Sequence, residues 1–322
     1  MHVIPLHPCS SQTQSPGRAI ALGNFDGLHL GHQRVIQSTF TCPATPSVLS
    51  FSPHPQEFFT GQPRPLLTPL AEKIALLTQL GVAELVVLPF NRQLAELTAA
   101  EFMDEILRKR LGATYVSVGH NFRFGRGRQG TTADLAALWG DRLTVLPEQL
   151  LPHSTTRFSS SRVREALGQG DVALAREILG RPYTLTGPVI HGQHLGRTIG
   201  IPTANLSLDP HKFLPRRGVY GVQVQYQSQR LLGVMNIGCR PTVTAGDPRA
   251  AAVHAEVHLL DWQGDLYGRL LTVSLMAFLR PEQTFASLAQ LREQIHQDCD
   301  RARQLCLSAP ATADSRGDRG CG

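Results

Sequence analysis

At Arg181 the spacing of apolar residues changes, and neither one sheet nor one helical bundle accommodates both halves of the chain. Before it, short apolar runs alternate with amphipathic segments. Strands are expected over 18–22, 47–51, 84–88, 114–118 and 143–146, with helices over 31–40, 68–80, 98–111, 133–139, 161–167 and 172–179. Thr68 is expected to cap its helix with Pro69 at the first helical position, and Thr98 with Glu101 forms a capping box. Such alternation predicts an α/β domain with a parallel sheet covered on both faces. After Arg181, two-residue alternation over 219–226, 230–236, 253–260 and 270–278, broken by Gly and Pro, predicts an antiparallel β-barrel. A helix over 285–305 closes it. The 322 residues thus divide into a domain over 1–180, a second over 181–307, and a polar tail over 308–322 expected to be disordered.

The net charge of +6 comes from 31 basic residues, of which only Lys73, Lys109 and Lys212 are lysine. Scattered arginine without a long basic run favours small phosphorylated ligands over a nucleic-acid track. The six cysteines form no CxxC pair, which suits reduced thiols. The start of the chain lacks a signal-peptide pattern, and no apolar stretch is long enough to span a bilayer. A soluble, cytoplasmic protein with no membrane partner is expected; the oligomeric state is left open.

Residues 23–32 read GNFDGLHLGH, between an expected strand and an expected helix. A helix start offers unpaired N–H groups and partial positive charge, and glycines let a phosphate approach the backbone. His29 and His32 stand there as hydrogen-bond donors able to steady charge developing on phosphorus. The expectation is a phosphate site built without lysine, suited to nucleotidyl transfer, where the nucleophile is itself a phosphate. Metal ligation by the two histidines lacks a third ligand nearby in sequence. Ser159-Ser160-Ser161-Arg162-Val163-Arg164 sets hydroxyls and arginines at another helix start, a second anion seat. In GPVIHGQHLGRTIGIPTAN (187–205), Gly192, Gly196 and Gly200 suggest a pliable loop over phosphates. Thr203 and Asn205, two apart, supply hard oxygen ligands for Mg²⁺. There is no GxxxxGK[ST] and no protein-kinase signature.

GNFDGLHLGH resembles the HxGH signature of nucleotidyltransferases, and SSSRVR is similar to their ISSTxIR signature. With FSPHP (51–55), VGHNFRFGRGRQG (118–130) and PTAN (202–205), the set resembles the bacterial bifunctional riboflavin kinase/FMN adenylyltransferases. Ser52, Asn121 and Ser161 depart from that family's common pattern. The resemblance implies a Rossmann-like nucleotidyltransferase domain followed by a riboflavin kinase barrel, with Mg²⁺ as cofactor and ATP as co-substrate. It implies riboflavin, FMN, FAD and ATP as the bound partners, with nucleic acid disfavoured. It places nucleotide on Gly23, Phe25, Asp26, Gly27, Gly31, Ser161 and Arg164 in the first domain. In the second domain it uses the glycines of the loop with Thr203 and Asn205. The flavin falls near Asn121, Arg123 and Phe124. Glu256 becomes the base for the riboflavin 5′-hydroxyl; by parity alone it faces away from Val253, Ala255, Val257 and Leu259 and would meet water. Rivals are a nucleotidyltransferase with another acceptor, against which the PTAN segment counts, and a flavin- or nucleic-acid-binding relative that has lost catalysis.

Overall fold

The computed structural model describes residues 1–5, 17–151, 154–155, 157–191, 200–227, 229–239 and 253–308. They form two compact units. The first comprises Met1–Arg164 with Pro210–Phe213; the second comprises the described residues of Glu165–Asp209 and those from Leu214 onward.

In the first unit six parallel strands lie in the order β1-β4-β3-β2-β5-β6. They are β1 (His2–Pro5), β2 (Arg18–Leu22), β3 (Thr45–Ser52), β4 (Glu84–Pro89), β5 (Ala113–Gly119) and β6 (Leu143–Leu146). Side chains alternate between two cores, as the two-residue period requires. Ala21, Val48 and Leu85 join Val35, Ile36 and Leu77, from α1 (Leu30–Gln37) and α3 (Leu70–Gln79). Ile20, Leu22, Leu49 and Val86 join Phe102, Leu107, Leu135 and Trp139 on the other face. Two short helices intervene, α2 (Pro55–Thr60) and α4 (Arg92–Glu96). The Thr98–Glu101 capping box opens α5 (Ala99–Glu101), which runs on as a π-helical stretch over Phe102–Arg110. A second box, Thr131 with Asp134, opens α6 (Thr132–Trp139). Thr68 does not cap α3. Pro69 takes that position, and the Thr68 hydroxyl instead accepts the Gly27 N–H at 2.9 Å.

The first unit ends within α7 (Ser160–Gln169). The next helix, α8 (Val172–Leu179), starts at the Asp171 cap and ends at left-handed Gly180. Its apolar face, Val172, Ala175, Ile178 and Leu179, packs on β7 and β12, which joins it to the second unit.

The second unit is a closed barrel in the order β10-β11-β8-β7-β12-β9, joined antiparallel throughout. Its strands are β7 (Tyr183–Ile190), β8 (Ala204–Leu206), β9 (Gly218–Tyr226), β10 (Gln229–Cys239), β11 (Val253–Leu259) and β12 (Leu270–Arg280). Inward residues alternate along each strand, as Leu271, Val273 and Leu275 do on β12. The closing helix α9 (Leu288–Ser308) lies against β9, where a Cβ on Gly221 would stand 3.4 Å from Ala302 Cβ. Arg280 of β12 holds Asp298 of α9 through Nε at 3.0 Å and a second nitrogen at 2.8 Å, with both side chains largely buried. The 308–322 tail expectation falls, beyond Ser308, outside the described residues.

Asp298→Ala strands the buried Arg280 guanidinium, so a loss of about 3–5 kcal/mol is expected. Urea unfolding of the second unit checks this as a fall in midpoint at unchanged slope.

Candidate active sites

The strand order reverses direction at β2, whose neighbours are β3 on one side and β5 on the other. A crevice opens at the carboxyl ends of strands at such a switch point. The 23–32 turn leaves β2 there. Phe25, Gly27 and Leu28 have φ of 49°, 85° and 46°, a left-handed run that two non-glycine residues adopt only under restraint. Asp26 supplies it. Its carboxylate, 3% exposed, accepts the Thr68 N–H at 3.1 Å and pairs with Arg164 of α7. Its carbonyl accepts the Ser160 hydroxyl at 2.7 Å.

His29 caps α1, its Nδ1 accepting the His32 N–H at 3.2 Å. The two imidazoles stack with centroids 3.6 Å apart and planes 20° apart, and Phe25 meets His32 edge-on at 5.3 Å. His32 Nδ1 is buried with no hydrogen-bond partner among the described residues. Burial holds the His32 pKa well below the usual histidine range, and the neighbouring His29 and Lys73 push it the same way. A neutral imidazole with a partnerless nitrogen at a helix start is a place where an anion gains hydrogen bonds and displaces none.

These groups line a cleft of about 1200 Å³. Gly23, Phe25, Asp26, Gly31 and Ser161 line it together with the histidines, and so do Asn121, Arg123 and Phe124, which follow β5. Gly27 and Arg164 do not line it. The Gly27 N–H goes to Thr68, and the Arg164 guanidinium is engaged by Asp26, by Pro65 O at 3.0 Å and by Ser160 O at 3.3 Å. Phe124 spends much of its ring on Phe122 and Phe102.

Several cleft groups escape sequence reasoning. His54 caps α2, its Nδ1 accepting the Gln56 N–H at 3.1 Å. Burial, and then Arg64, bring its pKa down to about 4, with Asp26 opposing. Phe58, Phe59 and Phe90 form an aromatic wall with ring centroids 5.4–5.7 Å apart. Lys73 stands half-buried behind the turn, correcting the expectation of a lysine-free site: its Nζ donates to Asn24 O at 2.8 Å and to Ser50 Oγ at 2.9 Å. FSPHP contains His54 but assigned it no role, and nothing in the sequence singled out Lys73 from an ordinary helix-surface lysine.

In the barrel, Glu256 of β11 stands opposite Asn205 of β8 and Asn236 of β10. Paired residues share a face, so the three form a row across adjacent strands. Ala255 and Val257 are buried at 1% each, and Glu256 lies on the opposite side, half-buried beside Asn205 rather than bathed in water. Asn205 is 8% exposed. Thr203 lines a cavity of about 190 Å³ with Trp262 and Tyr267, and Asn205 does not line it. Gly200 has φ +77°; Gly192 and Gly196 lie outside the described residues. Among the described residues no cluster of three His, Cys, Asp or Glu could hold a metal, and no helix is long and apolar enough to cross a membrane.

Side-chain NMR titration checks the imidazoles: His54 is expected to titrate near pH 4 and His32 below the usual range. Both rings take up a proton more readily when unfolded, so folded stability falls as pH drops from about 6.5 toward 4.

A family model described as FAD synthetase matches residues 11–162, and one described as riboflavin kinase matches 179–306. The chain is 43% identical over 300 residues to the bifunctional riboflavin kinase/FMN adenylyltransferase of Pseudomonas fluorescens, covering 92% of this chain and 94% of that protein. It is 39% identical over 311 residues to the protein of that description from Escherichia coli K12, covering 94% and 97%. A solved structure from Streptococcus pneumoniae described as a macrolide-efflux protein matches with a TM-score of 0.82 at 30% identity, covering 94% of this chain and 99% of that one. With both halves matched in order and over nine-tenths of its length, the chain belongs to the bifunctional riboflavin kinase/FMN adenylyltransferase family.

Proposed function

We propose that the turn at the head of α1 holds the ATP triphosphate for adenylyl transfer, and that the Asn205–Glu256 row of the barrel serves phosphoryl transfer to riboflavin. The two reactions are those of the family: riboflavin and ATP give FMN and ADP, and FMN with a second ATP gives FAD and pyrophosphate.

In the adenylyl step an FMN phosphate oxygen bonds to the α-phosphorus as the bond to the β-phosphate breaks. The nucleophile carries its own charge, so no base is needed, and the chain's task is to steady the phosphorus centre and the departing pyrophosphate. His29 and His32 do this from the α1 start, with Ser161 on the same cleft wall. Asn121, Arg123 and Phe124 hold the flavin end. Arg164, paired with Asp26, acts by anchoring the turn to α7. The observation that carries this reading is the stacked imidazole pair, with a partnerless buried nitrogen, on the wall of the large cleft.

In the kinase step the riboflavin 5′-hydroxyl bonds to the γ-phosphorus, its proton passes to Glu256, and ADP leaves. Glu256 is well placed for such a role by its half-buried position between two amides. Thr203 and Asn205 offer hard oxygens but no charge, which fits Mg²⁺ held chiefly by substrate phosphates. When bound, Mg²⁺ neutralises charge on the phosphates.

Product analysis tests the division. His29→Ala is expected to slow FAD formation about 10²–10³-fold and let FMN accumulate. Glu256→Ala is expected to slow riboflavin phosphorylation by about 10²–10⁴-fold while still adenylating supplied FMN. Both activities lost together in either variant contradicts separate sites.

A further inference from the structure

Lys73 is a half-buried cation outside every role assigned above. It sits on α3, and its Nζ reaches the end of β2 and the middle of β3 at once. Asn24 O accepts from Lys73 at 2.8 Å and from Ser50 Oγ at 3.2 Å, while Ser50 Oγ accepts from Lys73 at 2.9 Å. Three elements are tied at one carbonyl. Asn24 itself lines the cleft, and its Oδ1 is buried without a hydrogen-bond partner among the described residues. That oxygen can take a donor from a ligand only while the Asn24 backbone stays where Lys73 and Ser50 hold it.

We propose that Lys73 is a positioning residue for adenylyl transfer, fixing the Asn24 carbonyl so that the Asn24 side chain and the turn beyond it meet the nucleotide in reactive geometry. The inference rests on the cleft being the adenylyl site. An ammonium drawn partly out of water is tolerated because hydrogen bonds and neighbouring charge offset the loss of solvation. Burial pulls its pKa to about 8, with Asp26 acting the other way. Its charge also helps keep His32 neutral, after burial and His29.

Lys73→Met keeps the length and removes the charge. In folded full-length protein, kcat for FAD formation from FMN is expected to fall about 30-fold with KM for ATP changed less than about threefold. Riboflavin phosphorylation by the same preparation stays within about twofold, since it uses the other unit. Ser50→Ala, which removes the second donor to the same carbonyl, is expected to lower kcat about fivefold in the same pattern, and it decides the matter if Lys73→Met does not fold. FAD formation unchanged in the folded variants, or a fall matched by the kinase activity, overturns the role of Lys73. His29→Ala run alongside separates the two levels: if it too leaves FAD formation intact, the assignment of the cleft fails rather than the positioning role alone.

Discussion

A buried carboxylate is the constraint on which the first unit's cleft depends. Asp26 is 3% exposed, and an ionised carboxylate so enclosed is tolerable only with its partners in place. Those partners come from elsewhere in the chain: the Thr68 N–H ahead of α3, and Arg164 of α7, 138 residues on. Breaking either leaves a charge stranded, so the turn, the start of α3 and the start of α7 form one cooperative object. The left-handed backbone at Phe25, Gly27 and Leu28 is held inside it, and that backbone delivers His29 to the cap of α1. Arg164 therefore acts on the turn through Asp26 rather than by lining the cleft.

The two proposed phosphate sites differ in kind. In the first unit's cleft, burial holds the His32 imidazole below the usual histidine range, and the start of α1 supplies a partial positive charge. In the barrel, a carboxylate stands between two amides on paired strands. That row depends on register. Shifting β11 by one residue would turn Glu256 into the core now filled by Ala255 and Val257.

Much of this was legible in the sequence, for physical reasons. Strand 18–22 matches the structure's bounds because a central strand of a parallel sheet, buried on both faces, demands a short apolar run. Four of the six barrel strands, β9 to β12, showed through their two-residue period, whereas β7 (Tyr183–Ile190) was not expected. His29 and His32 stood out because few settings place two imidazoles in a glycine-rich turn at a helix start. What stayed hidden depended on contacts distant in sequence. Thr68 read as a helix cap because its competing partner, Gly27, is 41 residues away. Lys73 and His54 gain their character from burial, which a single sequence does not display. The edge strand β1 and the short β8 are too brief for a period to register.

The most direct measurement is the NMR titration of the His32 imidazole with and without a non-hydrolysable ATP analogue, at concentrations that inhibit FAD formation. If the triphosphate seats at the head of α1, it supplies the partner that His32 Nδ1 lacks, and the titration midpoint rises by about 1 unit or more. A midpoint that stays where it was, with FAD formation inhibited, places the triphosphate elsewhere and contradicts the assignment.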